Sequence, residues 1–353
     1  MKQVDRQESI IGCILGTAVG DALGLPYEGL SPVRAAKMLG VPDRYRLLPG
    51  RGMISDDTEH TIMVAQSLLS ASGDLKLFEK HFAWRLRLWL LLLPVGTGFA
   101  TLRAVIKLWV GFGVETSGVF SAGNGPAMRA PLFGAYFDDL ELMRQFIRAS
   151  TRITHTDPKA EFGALAVALA AFMAKTHELV EPEDYCARIE SFLPGEALEL
   201  LSLVRNAAES VKRGETTRQF AASSGMGNGV SGYIYHTVPV VLHCWLRHQQ
   251  NFAAALTEII ECGGDADTTA AILGGIIGAG AGKKAIPFKM LDGICEWPAT
   301  VAWMENLGKA LSQADGETVF SACELRFWKI LPRNLFLLAV VLLHGFRRIF
   351  PPY

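Results

Sequence analysis

The chain has 353 residues, half of them hydrophobic and a fifth charged, with a formal net charge of -1 at pH 7. That is ample apolar material for a large core and too little charge for disorder, and without a long Lys or Arg run it leaves no electrostatic footprint of a nucleic-acid binder. Six cysteines (Cys13, Cys186, Cys244, Cys262, Cys295 and Cys323) form no C-x-x-C pair and no dense framework, so they read as reduced, buried thiols.

Residues 1–9 are polar and mixed in charge, with no basic segment leading into an apolar run, so the cytoplasm is the expected compartment. Loops are expected at residues 47–54, where Gly and Pro gather, and a helix start at Ser55 to Glu59, because Ile62, Ala65, Leu68 and Leu69 then follow at helical spacing. A second loop is expected at residues 111–126. The next helix start lies at Thr156 to Pro158, where Pro158 suits a first turn that has no use for its missing N–H, and Leu165, Leu169, Phe172 and Met173 continue the period. After a glycine-rich loop at residues 223–232, a third start is expected at Asp265 to Thr268. Strand-like alternation is scarce throughout. The expectation is an all-α fold, one large orthogonal multi-helix bundle over 1–353, with a motif-bearing core at about 10–285 and a helical elaboration at 286–353.

Two apolar stretches, residues 268–282 and 335–343, are each short of the roughly 20 residues that cross a bilayer. Both are expected to be buried core helices rather than membrane spans. In the first, Gly274, Gly278 and Gly282 fall at four-residue steps, a smooth stripe on one helix face where another backbone can approach.

Two clusters carry chemistry. Ser55-Asp56-Asp57-Thr58-Glu59 places three carboxylates and two hydroxyls in five residues, and Gly264-Asp265-Ala266-Asp267-Thr268 aims two carboxylates from a glycine-permitted bend. Hard cations such as Mg²⁺ take oxygen ligands of this kind. The competing reading is helix capping, which the spacing of Asp56 and Glu59 also fits. Both clusters open strongly apolar helices, where uncompensated carboxylates are expensive to bury. Shared ions would supply the compensation.

With these motifs on view, the chain resembles the ADP-ribosylglycohydrolase family. Gly16-Thr17-Ala18-Val19-Gly20-Asp21-Ala22-Leu23-Gly24, followed by Glu28, is similar to that family's N-terminal signature, and the two acidic clusters match its two metal motifs. Between them, Gly123-Asn124-Gly125-Pro126-Ala127-Met128-Arg129 is similar to its ligand loop and Thr154-His155-Thr156-Asp157-Pro158 to its Thr-His segment; Gly232-Tyr233 with Thr237 resembles a later loop. The matches run in the family's order from residue 12 to about 280.

The resemblance implies two Mg²⁺ or Mn²⁺ ions held by Ser55, Asp56, Asp57, Asp265, Asp267 and Thr268, with Asp57 and Asp267 joining Glu28 in catalysis. It implies that Gly123, Asn124 and Gly125 contact ribose or phosphate, that His155 approaches the diphosphate or ribose, and that Tyr233 packs on the substrate. Glu28 is a general base for a water, or it only ligates or gates a metal. The expected activity removes ADP-ribose from a modified protein or other acceptor, reversing an ADP-ribosyltransferase. Two other readings stay open: a protein that binds ADP-ribose or a transferase without turnover, and a dinuclear-metal phosphoester hydrolase. Some members that cleave ADP-ribosyl-arginine have an acidic residue just before the Gly-Asn pair; Ser121-Ala122 stand there in this chain, so arginine specificity does not carry over.

Overall fold

The computed structural model describes residues 4–313, 325 and 327–351. Among these the secondary structure is helical, and extended pairing is limited to isolated bridges. Eight helices build the centre of the molecule and surround its acidic motifs: α1 (Arg6–Gly24), α2 (Asp56–Ala71), α3 (Leu75–Leu91), α4 (Pro158–Thr176), α5 (Ile234–Arg247), α6 (Ala266–Ala281), α7 (Val301–Ser312) and α8 (Phe327–Arg347). One apolar cluster runs from Ile10 to Leu311. Helices α1, α4 and α6 lie in its middle, buried on nearly every side.

The centre is the pairing of α1 with α6. Gly12, Gly16, Gly20 and Gly24 recur every fourth residue on α1. A methyl group at Gly16 would fall on the Gly274 carbonyl, one at Gly12 on that of Gly278, and one at Gly20 on that of Ala270. The two helices therefore touch backbone to backbone along most of their length, as the glycine stripe on α6 predicts. Glycine in a helix interior costs about 1 kcal/mol against alanine. Close approach over four turns offsets that cost through dispersion contacts that a side-chain layer would prevent.

The N-termini of α4 and α6 fall where the sequence places them, with Pro158 at the first helical position and Asp157 capping Lys159 N at 2.9 Å. Residues 335–343 do not form the buried core helix expected of them. They belong to α8, and the window Trp328–Arg347 is long and apolar enough to cross a membrane by length and composition, yet only 22% of it is buried. The reason is that the polar residues of α8, not its leucines, make its main anchors to the core. Arg333 pairs with Glu59 and Glu296, each at 2.7 Å, and Asn334 Nδ2 donates to Leu92 O at 2.8 Å. Among the described residues the other helix of this kind is Arg6–Tyr27, whose apolar part from Ser9 onward is buried.

Candidate active site

The two acidic motifs meet. Thr268 Oγ1 on α6 donates to Asp57 Oδ2 on α2 at 3.2 Å, across 211 residues of sequence. Neither helix uses its acidic residues as caps: Ser55 and Asp265 occupy the N-cap positions and accept no capping hydrogen bond from the first turn. The capping box available to Asp56 and Glu59 does not form, and Glu59 turns away to accept from Trp89 Nε1 at 2.6 Å and to pair with Arg333. Its burial pushes the carboxyl up to about 7 even against the adjacent guanidinium.

In the sequence Asp21 stands only as part of a signature, but its side chain organises the site. It is fully buried on α1 and accepts from Ser55 N at 2.9 Å, Ser55 Oγ at 2.8 Å and Thr58 N at 3.1 Å, with a further bond from Thr58 Oγ1. Those bonds set the first turn of α2, so Asp21 positions Asp56 and Asp57. A carboxylate in the last turn of an otherwise apolar, glycine-striped stretch is the signal that could have found it.

Glu28 follows the short 3-10 turn Leu25–Tyr27 that ends α1. Gly29 N donates to Gly264 O at 2.7 Å and Gly264 N to Leu30 O at 2.8 Å, so the Glu28 loop is tied to the start of α6. Just past the end of α8, Arg348 donates to Glu28 O at 2.7 Å and Pro26 O at 2.9 Å. Asp265 N bonds to Val230 O at 2.7 Å, and the side-chain amide of Asn124 reaches Asp265 Oδ2 at 2.6 Å and Thr237 Oγ1 at 3.0 Å. Asn124 thus holds an acidic residue of the second motif in place.

A cleft of about 670 Å³ opens over this cluster, lined by Glu28, Asp56, Asp265, Asp267 and Thr268 on one side and by Gly123, Asn124, Gly125 and His155 on another. Ser55 and Asp57 lie beneath it, fully buried. Gly96, in a left-handed conformation (φ +95°), packs directly on the Asp56 carboxylate, where any Cβ would collide. Tyr233 acts here through its backbone, bridging to Gly123, and Ile234 N donates to Ala122 O at 2.9 Å. Its phenol lies outside the cleft lining and accepts from Lys159 Nζ at 3.0 Å.

Arg129 locks the wall behind His155. Its buried guanidinium donates to Gly125 O at 3.2 Å, Ser150 O at 2.9 Å and Thr154 Oγ1 at 3.0 Å, and lies 3.0 Å from His60 Nδ1. Thr154 Oγ1 in turn meets His155 Nδ1 at 2.9 Å. Burial, then Arg129, hold the His155 imidazole down at about 3, so it is neutral at physiological pH.

The acidic groups repel one another. Burial, then Asp57 and Asp21, drive the Asp56 carboxyl well above the usual range; burial, then Asp21 and Asp265, do the same to Asp57, and burial, then Glu28 and Asp265, to Asp267. Burial and then Asp265 raise Glu28, opposed by Arg348. Asp57 Oδ1 is buried without a hydrogen-bond partner. Excess negative charge, hydroxyls interleaved with carboxylates and an orphaned oxygen together fit hard divalent cations. Among the described residues no three His, Cys, Asp or Glu side chains form a finished ligand shell. The fit rests on charge and donor chemistry.

Comparisons with known proteins bear on the family. A family model described as ADP-ribosylglycohydrolase matches residues 2–319, past the last motif legible in the sequence. An uncharacterized protein of Archaeoglobus fulgidus is 33% identical over 299 residues, covering 82% of this chain and 92% of that one. ADP-ribosyl-[dinitrogen reductase] glycohydrolase of Rhodospirillum rubrum is 31% identical (78% and 87% covered), and human ADP-ribosylhydrolase ARH3 is 25% identical (78% and 86%). Among solved structures, an ADP-ribosylglycohydrolase-related protein complex superposes with a TM-score of 0.64 at 25% identity, covering 88% of this chain and 99% of the other.

Proposed function

This chain belongs to the ADP-ribosylglycohydrolase family, and from that premise we propose that it hydrolyses the glycosidic bond between ADP-ribose and a modified protein or other acceptor, undoing the work of an ADP-ribosyltransferase. The observation that carries the reading is the Thr268–Asp57 contact, which joins both acidic motifs beneath one cleft. The cleft volume of about 670 Å³ falls among small-molecule sites, about 300–1,000 Å³.

Ser55, Asp56, Asp57, Asp265, Asp267 and Thr268 would hold two divalent cations, Mg²⁺ or Mn²⁺. When bound, such ions neutralise the carboxylates, orient ribose hydroxyls and acidify a water. The raised proton affinity of Glu28 suits it to take the proton of a water that attacks the anomeric carbon. As that C–O bond forms, the bond to the acceptor breaks; the acceptor nitrogen or oxygen leaves with the bonding pair and takes up the proton that Glu28 removed from the water. Neutral His155 offers a hydrogen bond to ribose or diphosphate, and the Gly123 to Gly125 backbone, fixed by Arg129, lets the ligand approach closely. Asp57 and Asp267 take part by fixing the charge around the reacting sugar.

Product analysis on an ADP-ribosylated protein tests this. Free ADP-ribose supports it, AMP indicates diphosphate cleavage, and binding without product indicates a recognition protein. Glu28→Gln should keep the fold and ADP-ribose affinity and slow turnover by about 10² to 10⁴-fold, the range for general acid–base catalysis. Turnover within about threefold of wild type, under 1 kcal/mol in barrier, removes Glu28 from catalysis.

A further inference from the structure

Helix α8 is amphipathic in the inverted sense. Its inward side carries Arg333, Asn334 and His344, the last with Nε2 2.7 Å from Leu47 O, along with Leu337 and Val340 in a small apolar cluster with Leu25, Leu47 and Met53. Its outward side carries Trp328, Leu331, Leu335, Leu342, Leu343 and Phe346; the last three are 63%, 68% and 62% exposed. At about 100° per residue these positions gather on the helix face opposite Arg333, Leu337 and His344, so they form a stripe roughly 27 Å long at 1.5 Å per residue. Exposed apolar surface on that scale marks a binding face.

Charge decides what covers it. Lys329 and Arg347 are exposed near the two ends of the stripe, residues 325–353 contain no Asp or Glu, and Arg333 and Arg348 of that segment turn to the core. A second copy docked by two-fold symmetry with the helices antiparallel would set Lys329 of one chain beside Arg347 of the other, a like-charge contact. An anionic bilayer instead meets both cations with headgroups and the stripe with acyl chains. Indole rings suit that boundary. Trp328 is exposed at one end of the stripe, and Trp297 packs on Phe336 with ring centroids 5.5 Å apart. Crossing the bilayer is excluded in this fold, because Arg333 and Asn334 tie the same helix to the core.

We propose that α8 is an interfacial membrane helix that lays its outward apolar stripe into the surface of an anionic lipid bilayer while its polar side stays bolted to the enzyme core. The core is held at the membrane, since Arg333 grips Glu59 on α2 and Arg348 grips the Glu28 loop.

The test is flotation of the full chain with phosphatidylcholine vesicles, with and without phosphatidylserine. Wild type should float with the anionic vesicles, release as salt rises, and show Trp fluorescence quenched by brominated acyl chains. The triple variant Leu342→Gln, Leu343→Gln, Phe346→Gln should lose partitioning by about 100-fold or more, from the lost burial of three large side chains, while keeping its helical circular dichroism and its activity in solution. Lys329→Glu with Arg347→Glu should lose the preference for phosphatidylserine by about 30-fold or more. Wild type that stays in solution with every vesicle overturns the proposal. So does a wild-type dimer by light scattering that the triple variant dissolves while vesicle binding is absent.

Discussion

Replacing Gly16 with alanine tests whether the α1–α6 contact sets the active site. The added methyl would lie 2.8 Å from Gly274 C and closer still to its carbonyl oxygen. Neither atom belongs to a side chain that can rotate away, so the helices must part. A separation of roughly 0.5–1 Å forfeits a quarter to a half of the dispersion at each contact, and overpacking of this kind typically costs about 1–3 kcal/mol. Alanine regains about 1 kcal/mol of helix propensity. Because the obstruction is backbone on both sides, we expect the upper part of the range to prevail, with a net loss of about 1–2 kcal/mol. Parting also shifts Asp21 on α1 against Asp267 on α6, so the Mg²⁺ concentration needed for half-maximal turnover should rise. The control is Gly345→Ala on α8, where nothing lies within 4 Å of the new methyl and stability should rise by up to about 1 kcal/mol. Urea denaturation of both variants, with turnover over a Mg²⁺ series for the first, gives the answer. Gly16→Ala as stable as wild type, with an unchanged Mg²⁺ requirement, would refute the reasoning.

Three further outcomes are expected. Asp57→Asn and Asp267→Asn should weaken metal binding, so turnover recovers at least partly at high Mg²⁺, whereas Glu28→Gln stays impaired at every concentration; equal rescue of all three would show that Glu28 is a ligand. Arg333→Met leaves Glu59 and Glu296 buried without their cation and should cost about 3–5 kcal/mol, read by urea denaturation, with a loss under 1 kcal/mol counting against the pair as an anchor. His243 is buried against Thr217 Oγ1 and Ser210 Oγ, both at 3.1 Å, and burial holds its imidazole down at about 4. The folded chain therefore refuses a proton that the unfolded chain accepts below about pH 6.5. Stability from this group is full above that pH and is lost as pH falls to about 4, so wild type should lose on the order of 3 kcal/mol more than His243→Gln over that window. Parallel urea titrations that fall together for the two proteins would expose the idea as wrong.

What could be read from the sequence was local. Apolar residues at three- and four-residue steps gave the helices, and Pro158 and Asp265 marked two of their starts. The stripe of Gly274, Gly278 and Gly282 announced a close backbone approach, but its partner, Gly12 to Gly24, is some 250 residues away and nothing local names it. The same limit hid Arg348 beside Glu28 and Arg333 beside Glu59, contacts across 320 and 274 residues. Asp21 stood out only as part of the glycine-rich signature, because its job depends on where α2 begins in space. Residues 335–343 misled for a different reason. Their composition is that of a core helix, and only the flanking Arg333 and Asn334 decide which side turns inward.

Arg129 carries a last implication, for how a ligand arrives. Among the described residues its hydrogen-bond partners, His60, Gly125, Ser150 and Thr154, and the Phe82 ring beneath it are uncharged, and burial lowers its pKa only to about 9, so a full positive charge sits without a counter-charge behind the Gly123 to Gly125 wall. In a poorly polarisable interior such a charge is felt over several ångströms more than it would be in water. The cleft is therefore electrically two-ended, with surplus acid beneath Glu28 and Asp56 and a fixed cation behind the opposite lining. The diphosphate of the proposed substrate would be drawn toward the cationic end and turned before contact, and the rate of encounter, more than the rate of bond cleavage, should fall as salt screens that field.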